Sequence, residues 1–248
     1  MCGRYAAAKD AAILVEEFRV DRPPTQELAP DYNVAPTKQV YVVADRIDKV
    51  SALTQRELAV AKWGLVPSWA KDPKIGNRMI NARWESVAEK PAYRRAVAKR
   101  RCLLPADGYY EWYTPTGPDA ELTAKGKPRK QPYFIHPADG STLAMAGLYE
   151  WWQDPALPRE DPNSWLRTTT IITTSATDDL GVIHDRMPMC VRPSEWDDWL
   201  SPNLTGSDEV LGLLAPAAPG WLVAEPVSAD VNNVRNNSPE LIRPVPAA

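Results

Sequence analysis

The sequence lacks several features that mark whole classes of proteins. No stretch approaches the ~18 consecutive apolar residues of a membrane-spanning helix, and Pro216 and Pro219 interrupt the most apolar late segment, 210–224. There are two histidines and three cysteines, without C-x-x-C or H-x-x-x-H spacing, so we expect no metal site and no cofactor. Three irregularly spaced cysteines indicate reduced thiols and a cytoplasmic protein. The N-terminus has no apolar h-region, which predicts that no secretory signal is present.

The sequence also lacks a strong excess of charge of either sign. Its formal net charge is −3, which is not the charge of a generally basic nucleic-acid binder. The cations are nevertheless clustered, at 90–101 without an intervening acid and again at 125–130. Each cluster fits either a solvated surface or a surface that faces phosphates, and both interpretations stay open.

Proline and tryptophan, by contrast, are abundant, with 25 and 10 residues. Proline at about twice its usual ~5% share favours short elements joined by turns. With 44% hydrophobic residues, the chain can bury a sizeable core. An aromatic face can stack on a nucleobase, although each tryptophan can equally be a core residue.

The hydrophobic patterns predict a strand-rich α+β fold without βαβ alternation. We expect helices over 9–19, 85–100, 193–200 and 208–214. We expect strands over 39–44, 50–54, 57–66, 102–104, 108–113, 133–136, 142–152, 165–174 and 221–227. Segments 114–131 and 153–164 are predicted to be surface loops, and neither is long enough to separate two domains. The sequence therefore predicts one domain.

Cys2 brings unusual chemistry if Met1 is removed, which a small second residue permits. The mature chain would then carry a free α-amine and a thiol on one residue. The amine has an ordinary pKa of about 7.7–8.0, so that a useful fraction is neutral and nucleophilic near neutral pH. With an aldehyde, such an aminothiol forms an imine, and the adjacent thiol closes a thiazolidine ring. The same nucleophile could instead attack an amide, or Cys2 could be a small buried hydrophobe.

The remaining motifs resemble one family in their order along nearly the whole chain. They are Met1-Cys2-Gly3-Arg4-Tyr5, Tyr32-Asn33-Val34-Ala35-Pro36, Trp63-Gly64-Leu65-Val66-Pro67-Ser68-Trp69, Ile80-Asn81-Ala82-Arg83-Trp84-Glu85, Pro105-Ala106-Asp107-Gly108-Tyr109-Tyr110-Glu111-Trp112, Ala146-Gly147-Leu148-Tyr149, Thr173-Thr174-Ser175-Ala176, Ile183-His184-Asp185-Arg186-Met187-Pro188 and Val231-Asn232-Asn233. This set resembles the SOS-response-associated peptidase (SRAP) family of abasic-site processing proteins.

The resemblance implies both a fold and a function. The implied fold is a single α+β domain, residues 2–244, with a strand-rich barrel-like core, short peripheral helices and a positively charged groove. The implied function is to sense abasic sites in single-stranded DNA and to bind their aldehyde covalently as a thiazolidine. Lyase chemistry, reversal of the crosslink and autopeptidase activity accompany it. The implied setting is the SOS response to DNA damage, with a monomer in the cytoplasm that associates with the nucleoid.

The resemblance also assigns roles to individual residues. Cys2 is the nucleophile, Asn81 orients the site, Glu111 moves protons during capture, and His184 serves ring opening, strand cleavage and reversal. Contacts with DNA are implied for Arg4, Asn33, Trp69, Arg83, Trp112 and Arg186. Arginine suits phosphates and tryptophan suits flanking bases.

Two other functions remain open on the residues alone. A thiol peptidase of the N-terminal-nucleophile type would also use Cys2, but it would turn over amides without DNA and would leave the arginines and tryptophans without a role. A non-catalytic reader of modified or single-stranded DNA would not need Cys2, and its affinity would fall steeply with salt.

Overall fold

The structure, a computed structural model, describes residues 2–48, 50–117, 121–177 and 180–246. The helices in these ranges are short, as the proline content predicts: α1 (Ala11–Glu17), α2 (Arg94–Lys99), α3 (Leu180–Ile183), α4 (Trp196–Leu200) and α5 (Ser207–Gly212). The strands are β1 (Tyr5–Ala7), β2 (Asp31–Val34), β3 (Gln39–Ile47), β4 (Thr54–Trp63), β5 (Asn81–Arg83), β6 (Arg101–Ala106), β7 (Gly108–Tyr113), β8 (Gln131–Pro137), β9 (Leu143–Gln153), β10 (Trp165–Ser175), β11 (Arg186–Pro188) and β12 (Leu222–Pro226). Within the described residues, no helix is long and apolar enough to cross a membrane.

Five strands close into a barrel, in the order β10-β4-β3-β6-β9 and back to β10. All of its pairs are antiparallel except β4 with β10, where Thr168 lies opposite Lys62. The short strands β5 and β11 extend β10 near its C-terminal end. A second, antiparallel sheet has the order β12-β8-β7-β1-β2. The predicted α+β class and single barrel-like domain are confirmed.

Alternate residues of the barrel strands enter two separate cores, as the period of two in a strand requires. Val43 and Leu103 pack with residues of α1, α2, α4 and α5 in the first core. Val42 and Cys102, their chain neighbours, belong to the second core, together with residues of β1, β7 and β8. Cys2 is buried in this second core. The residue with the most distinctive chemistry therefore lies between the barrel and the second sheet.

The structure corrects two predicted elements. The helix expected over 85–100 is reduced to a 3-10 turn (Trp84–Ser86) and α2, because Pro91 interrupts the segment between them. The strand expected over 50–54 is wrong up to Leu53: this segment belongs to the turn of the β3–β4 hairpin, where Asp48 accepts from the N–H groups of Val50 and Ser51. Both predictions relied on the composition of the segment and did not consider the residues that form local turns.

Candidate active site

The pairing of β1 with β7 delivers Cys2 to the site. Tyr5 lies opposite Tyr109, and the Tyr110 N–H donates to the Arg4 carbonyl at 2.9 Å. This antiparallel register carries the chain ahead of β1 along β7 towards Glu111. Cys2 is fully buried. Burial raises the pKa of its thiol well above the ordinary value, and the Glu111 charge raises it further. The Cys2 sulfur is therefore a neutral thiol at physiological pH.

Glu111 is a buried carboxyl in the middle of the second sheet. It lies on β7 opposite Tyr133 of β8, with only 4% of its surface exposed. Burial raises its pKa from 4.5 to about 7, and the negative charge of Asp185 acts in the same direction. A carboxyl with this pKa can both give and take a proton near neutral pH, which is the requirement for general acid–base catalysis.

His184 faces Glu111 from the other side of the site. It follows α3 directly, where its N–H donates to the Leu180 carbonyl at 3.1 Å. Its Nε2 is 3.9 Å from Glu111 Oε2, and its Nδ1 accepts from the Arg186 N–H at 3.0 Å. This bond favours a ring proton on Nε2, whereas Asp185 Oδ1, which is 3.0 Å from the same Nδ1, favours one on Nδ1. Burial lowers the pKa of His184, so the neutral ring is favoured.

Asn81 holds the backbone of Cys2. Its Nδ2 donates to the Cys2 carbonyl at 2.8 Å, while its buried Oδ1 accepts no hydrogen bond within the described part of the chain. It begins β5, opposite Ile171 of β10. A close approach of two glycines sets the segment before β5: an added Cβ on Gly64, whose φ is +122°, would lie 2.5 Å from the Gly76 carbonyl oxygen. Only glycine fits there.

These four residues form one constellation with complementary protonation states. Glu111 has a raised pKa and His184 a lowered pKa, both mainly because of burial. At pH 7 the lowered pKa of His184 favours the neutral ring, whereas the carboxyl, with a pKa of about 7, exists in both protonation states. Titratable neighbours whose environments favour different protonation states are typical of paired acid and base groups. The arrangement can move protons around a reacting group that is bound at Cys2.

The raised pKa of Glu111 predicts how stability depends on pH. The unfolded state loses the proton near pH 4.5 and the folded state only near pH 7, so the folded state binds more protons between these values. This contribution to the free energy of unfolding is therefore full below pH 4.5 and is lost as the pH rises to 7, by at most about 3 kcal/mol. Glu111→Gln, which cannot ionise, is expected to be more stable than the natural protein at pH 8 but not at pH 4.5. Thermal unfolding at both pH values measures this, and a stability difference independent of pH would contradict it.

The structure places Arg4, Asn33 and Trp112 in one connected group. Arg4 Nη1 donates to Asn33 Oδ1 at 2.7 Å, and its guanidinium lies 5.7 Å from the centre of the Trp112 ring. Trp112 Nε1 donates to Asn232 Oδ1 at 2.6 Å. Asn33 is fully buried, and its Nδ2 has three carbonyl acceptors between Val231 and Asn236. Direct contact of Asn33 with DNA does not fit this burial. Its amide instead positions Arg4 and the 231–236 segment.

The other three predicted DNA contacts differ in how accessible they are. Arg83 is exposed at the end of β5, and Trp69 has 61% of its surface exposed. Arg186 is largely covered: it forms a bidentate ion pair with Glu85, at 2.6 and 3.0 Å, and also donates to the Thr173 carbonyl at 2.6 Å. Of the two predicted phosphate-binding arginines, Arg83 is thus accessible, whereas Arg186 already binds a carboxylate.

Two motif residues that the structure places near the site, Glu85 and Asp185, had no role predicted from the sequence. Glu85 forms an ion pair with Arg186, and Asp185 Oδ1 lies 3.0 Å from His184 Nδ1. The position of Asp185 directly beside His184 in the sequence was the available signal. For Glu85 there was none, because its partner is 101 positions away. Among the described residues, no group of three or more His, Cys, Asp or Glu side chains could hold a metal ion.

The comparisons with known proteins agree with one another. The family model of the SOS response associated peptidase (SRAP) matches residues 1–234. The abasic site processing protein YoqW of Bacillus subtilis is 37% identical over 243 residues, which cover 98% of this chain and 99% of YoqW. The abasic site processing protein HMCES of Gallus gallus is 32% identical, over 99% of this chain and 78% of its own. A crystal structure of a protein from Bacteroides thetaiotaomicron superposes with a TM-score of 0.79 at 25% identity, covering 98% of this chain and 100% of that one.

Proposed function

The chain belongs to the SOS response associated peptidase (SRAP) family, and we propose that it processes abasic sites in single-stranded DNA by capturing them covalently on Cys2. The observation that carries the proposal is the convergence of the Cys2 backbone, Asn81, Glu111 and His184 between the barrel and the second sheet. The relatives named abasic site processing proteins support the choice of substrate. The ring-opened sugar of such a site carries an aldehyde, which is the natural electrophile for an aminothiol.

The proposed reaction has two bond-forming steps and releases one water. Once Met1 is removed, the Cys2 amine adds to the aldehyde carbon, and the resulting carbinolamine loses water to give an imine. The Cys2 sulfur then adds to the imine carbon, and the thiol proton moves to the nitrogen. The product is a five-membered thiazolidine whose mass is protein plus DNA minus one water.

The buried position of Cys2 suits this order of events. Its thiol stays protonated because burial raises its pKa, so the amine is the first nucleophile. The amine fixes the imine carbon beside the sulfur, and the ring then closes within one molecule, with the advantage of held reactants. Glu111 accepts a proton from the ammonium and returns one to the departing hydroxyl. Asn81 keeps the Cys2 carbonyl in place during both steps.

We assign His184 to the steps that begin and end capture. A neutral imidazole can accept a proton as a general base and, as the imidazolium that results, return a proton as a general acid. Opening of the closed sugar, elimination that cleaves the strand and reversal of the thiazolidine all need such transfers. Because Glu111 serves the amine, the two residues divide the proton transfers between them.

Arg83 is proposed to contact a backbone phosphate beside the lesion. It is exposed and makes no salt bridge within the described ranges. Arg83→Ala is expected to weaken noncovalent binding of single-stranded DNA irrespective of base sequence, and to lower the slope of log K against log salt by about 0.7, the value for one lost phosphate contact. Titrations by fluorescence anisotropy at several salt concentrations measure both effects. An unchanged slope would remove Arg83 from the phosphate contacts.

A denaturing gel tests the proposed function directly. The protein is incubated with a labelled single-stranded oligonucleotide that carries one abasic site, and SDS then removes noncovalent complexes. A retarded band is expected with this oligonucleotide and none with its tetrahydrofuran analogue, which has no aldehyde. Equal bands with both would show that the aldehyde is not the reacting group.

A further inference from the structure

The cationic cluster at 125–130 lies on an ordered hairpin, residues 121–130, which we call the basic arm. Leu122 and Pro128 form a β-bridge across it. The Thr123 N–H donates to the Lys127 carbonyl at 2.8 Å, and the Gly126 N–H donates to the Thr123 carbonyl at 2.8 Å. Gly126 has a φ of +70°, which glycine adopts at no steric cost. The loop expected here therefore contains a defined turn.

The basic arm leads directly into β8, which pairs with the strand that carries the active-site carboxyl. Tyr113 pairs with Gln131, and Glu111 pairs with Tyr133 on the same β7–β8 ladder. Lys130 is the last residue of the arm before this ladder begins. Gly126, in the turn, is five positions before Gln131, so an extended arm reaches up to about 16 Å beyond the ladder.

Three of the four cations of the basic arm form no salt bridge within the described residues. Glu121 pairs with Arg129 at 3.3 Å. Lys125, Lys127 and Lys130 are exposed and form no salt bridge within the described part of the chain. Among the described residues, three cations of this hairpin next to the active site thus have no salt-bridge partner, although the net charge of the protein is −3. The field of Lys130 lowers the pKa of both Glu111 and His184, which agrees with the position of the arm's base.

The basic arm contributes little to the stability of the fold. Leu122 is 57% exposed, and of the ten residues only Pro128 is partly buried. An ordered hairpin that buries almost no apolar surface gains little from the hydrophobic effect. Its order comes from its own backbone hydrogen bonds, and its side chains are directed to solvent.

We propose that the basic arm binds backbone phosphates of the DNA several nucleotides to one side of the captured abasic site. Clustered, unpaired lysines attract phosphates without reading bases, as a lesion sensor requires. This inference rests on the proposed function and adds a second contact region to it. The tip of the arm lies up to about 16 Å beyond the ladder, which corresponds to about five base pairs of rise in a duplex, so a flank of about three nucleotides falls short of the tip and one of about twelve passes it.

The experiment compares two double variants on oligonucleotides of different length. Lys125→Gln/Lys127→Gln removes two cations from the basic arm, away from the catalytic group. Arg95→Gln/Lys99→Gln is the matched control, because it removes two exposed cations from α2 in the other cluster. Each protein is tested with abasic oligonucleotides that have about three nucleotides on both sides of the lesion, or about twelve on one side and about three on the other, in keeping with the reach of the arm. The long flank is used both as a single strand and annealed to a complement.

The arm variant is expected to capture the short oligonucleotide at the same rate as the natural protein. It should capture more slowly than the natural protein when the flank on one side is long. With the long single-stranded flank, the slope of log K against log salt for noncovalent binding should be smaller by about 1.4, or about 0.7 for each lost phosphate contact. Slower capture with the single-stranded or the annealed flank identifies which form of DNA the arm binds.

Three results would overturn the proposal: equal rates for the arm variant and the natural protein on every substrate, equal slowing on short and long flanks, or the same slowing in the α2 control. If the natural protein captures none of the oligonucleotides, the proposed function itself fails. That outcome is distinct from the failure of the arm alone, in which capture persists unchanged.

Discussion

Replacing Cys2 with alanine is expected to abolish the stable crosslink to abasic DNA while leaving noncovalent binding within about twofold. The alanine variant keeps an α-amine after Met1 is removed, so it can still form an imine, but it has no sulfur to close the ring. An imine in water hydrolyses, whereas ring closure within one molecule benefits from an effective molarity that reaches about 10⁵ M or more. A loss of stable product to background is therefore expected.

Chemical trapping separates the two nucleophiles of Cys2. Borohydride reduces an imine to a stable amine, so it should restore a covalent band for Cys2→Ala but should be unnecessary for the natural protein. The matched control is Cys102→Ala, which removes another fully buried thiol, 3.5 Å from Thr169 Oγ1 on β10. This control should crosslink normally. A Cys2→Ala protein that forms a stable band without borohydride would contradict the assignment.

Replacing Glu111 with glutamine is expected to slow capture by about 10²–10⁴-fold, the usual contribution of general acid–base catalysis. Glutamine keeps the shape of the buried side chain but cannot carry the proton between the amine and the departing hydroxyl. The measurement is the rate of crosslink formation at saturating DNA. Noncovalent affinity, determined with the tetrahydrofuran analogue, should change little.

The pH profile gives a second readout of Glu111. Capture needs a neutral amine, with an ordinary pKa of about 7.7–8.0, and a protonated Glu111, whose pKa burial raises to about 7. The rate should therefore rise and then fall with pH, with a maximum between these values. Glu111→Gln should lose the fall on the alkaline side. A natural protein with a flat profile would exclude the amine from the mechanism.

His184→Ala is the companion of the Glu111 variant. It should reduce strand cleavage and reversal of the crosslink more than it reduces capture, because the two residues face each other across 3.9 Å with different protonation states. Equal losses at every step in both variants would show that their roles are not divided.

The sequence predicted the fold class well and the boundaries of the elements less well. Strands such as β4 and β10 have long β-branched or alternating patterns, and these were recognised. The short strands β1, β5 and β11 carry too few residues for any periodicity, and only long-range pairing makes them strands. These same short strands position Cys2, Asn81 and Arg186.

The resemblance selected the site residues, but it could not supply their environments. Asn33 is a polar motif residue, and nothing local indicates that it is buried against the 231–236 segment, about 200 positions away. The ion pair between Glu85 and Arg186 likewise depends on the tertiary structure. Conversely, the composition of 125–130 identified a cationic cluster, and the structure showed that it lies on a hairpin beside the active site. Charge can be counted from a sequence, but the partner of each charge cannot.

The most direct test of covalent capture is the intact mass of the protein after incubation with a single-stranded oligonucleotide that carries one abasic site. Protein without DNA, measured in parallel, shows whether Met1 has been removed. The account predicts a species at the mass of the chain lacking Met1 plus the oligonucleotide minus one water, with the link mapped to Cys2. A chain that lacks Met1 and yet forms no adduct would contradict covalent capture and favour a thiol peptidase or a non-catalytic DNA reader.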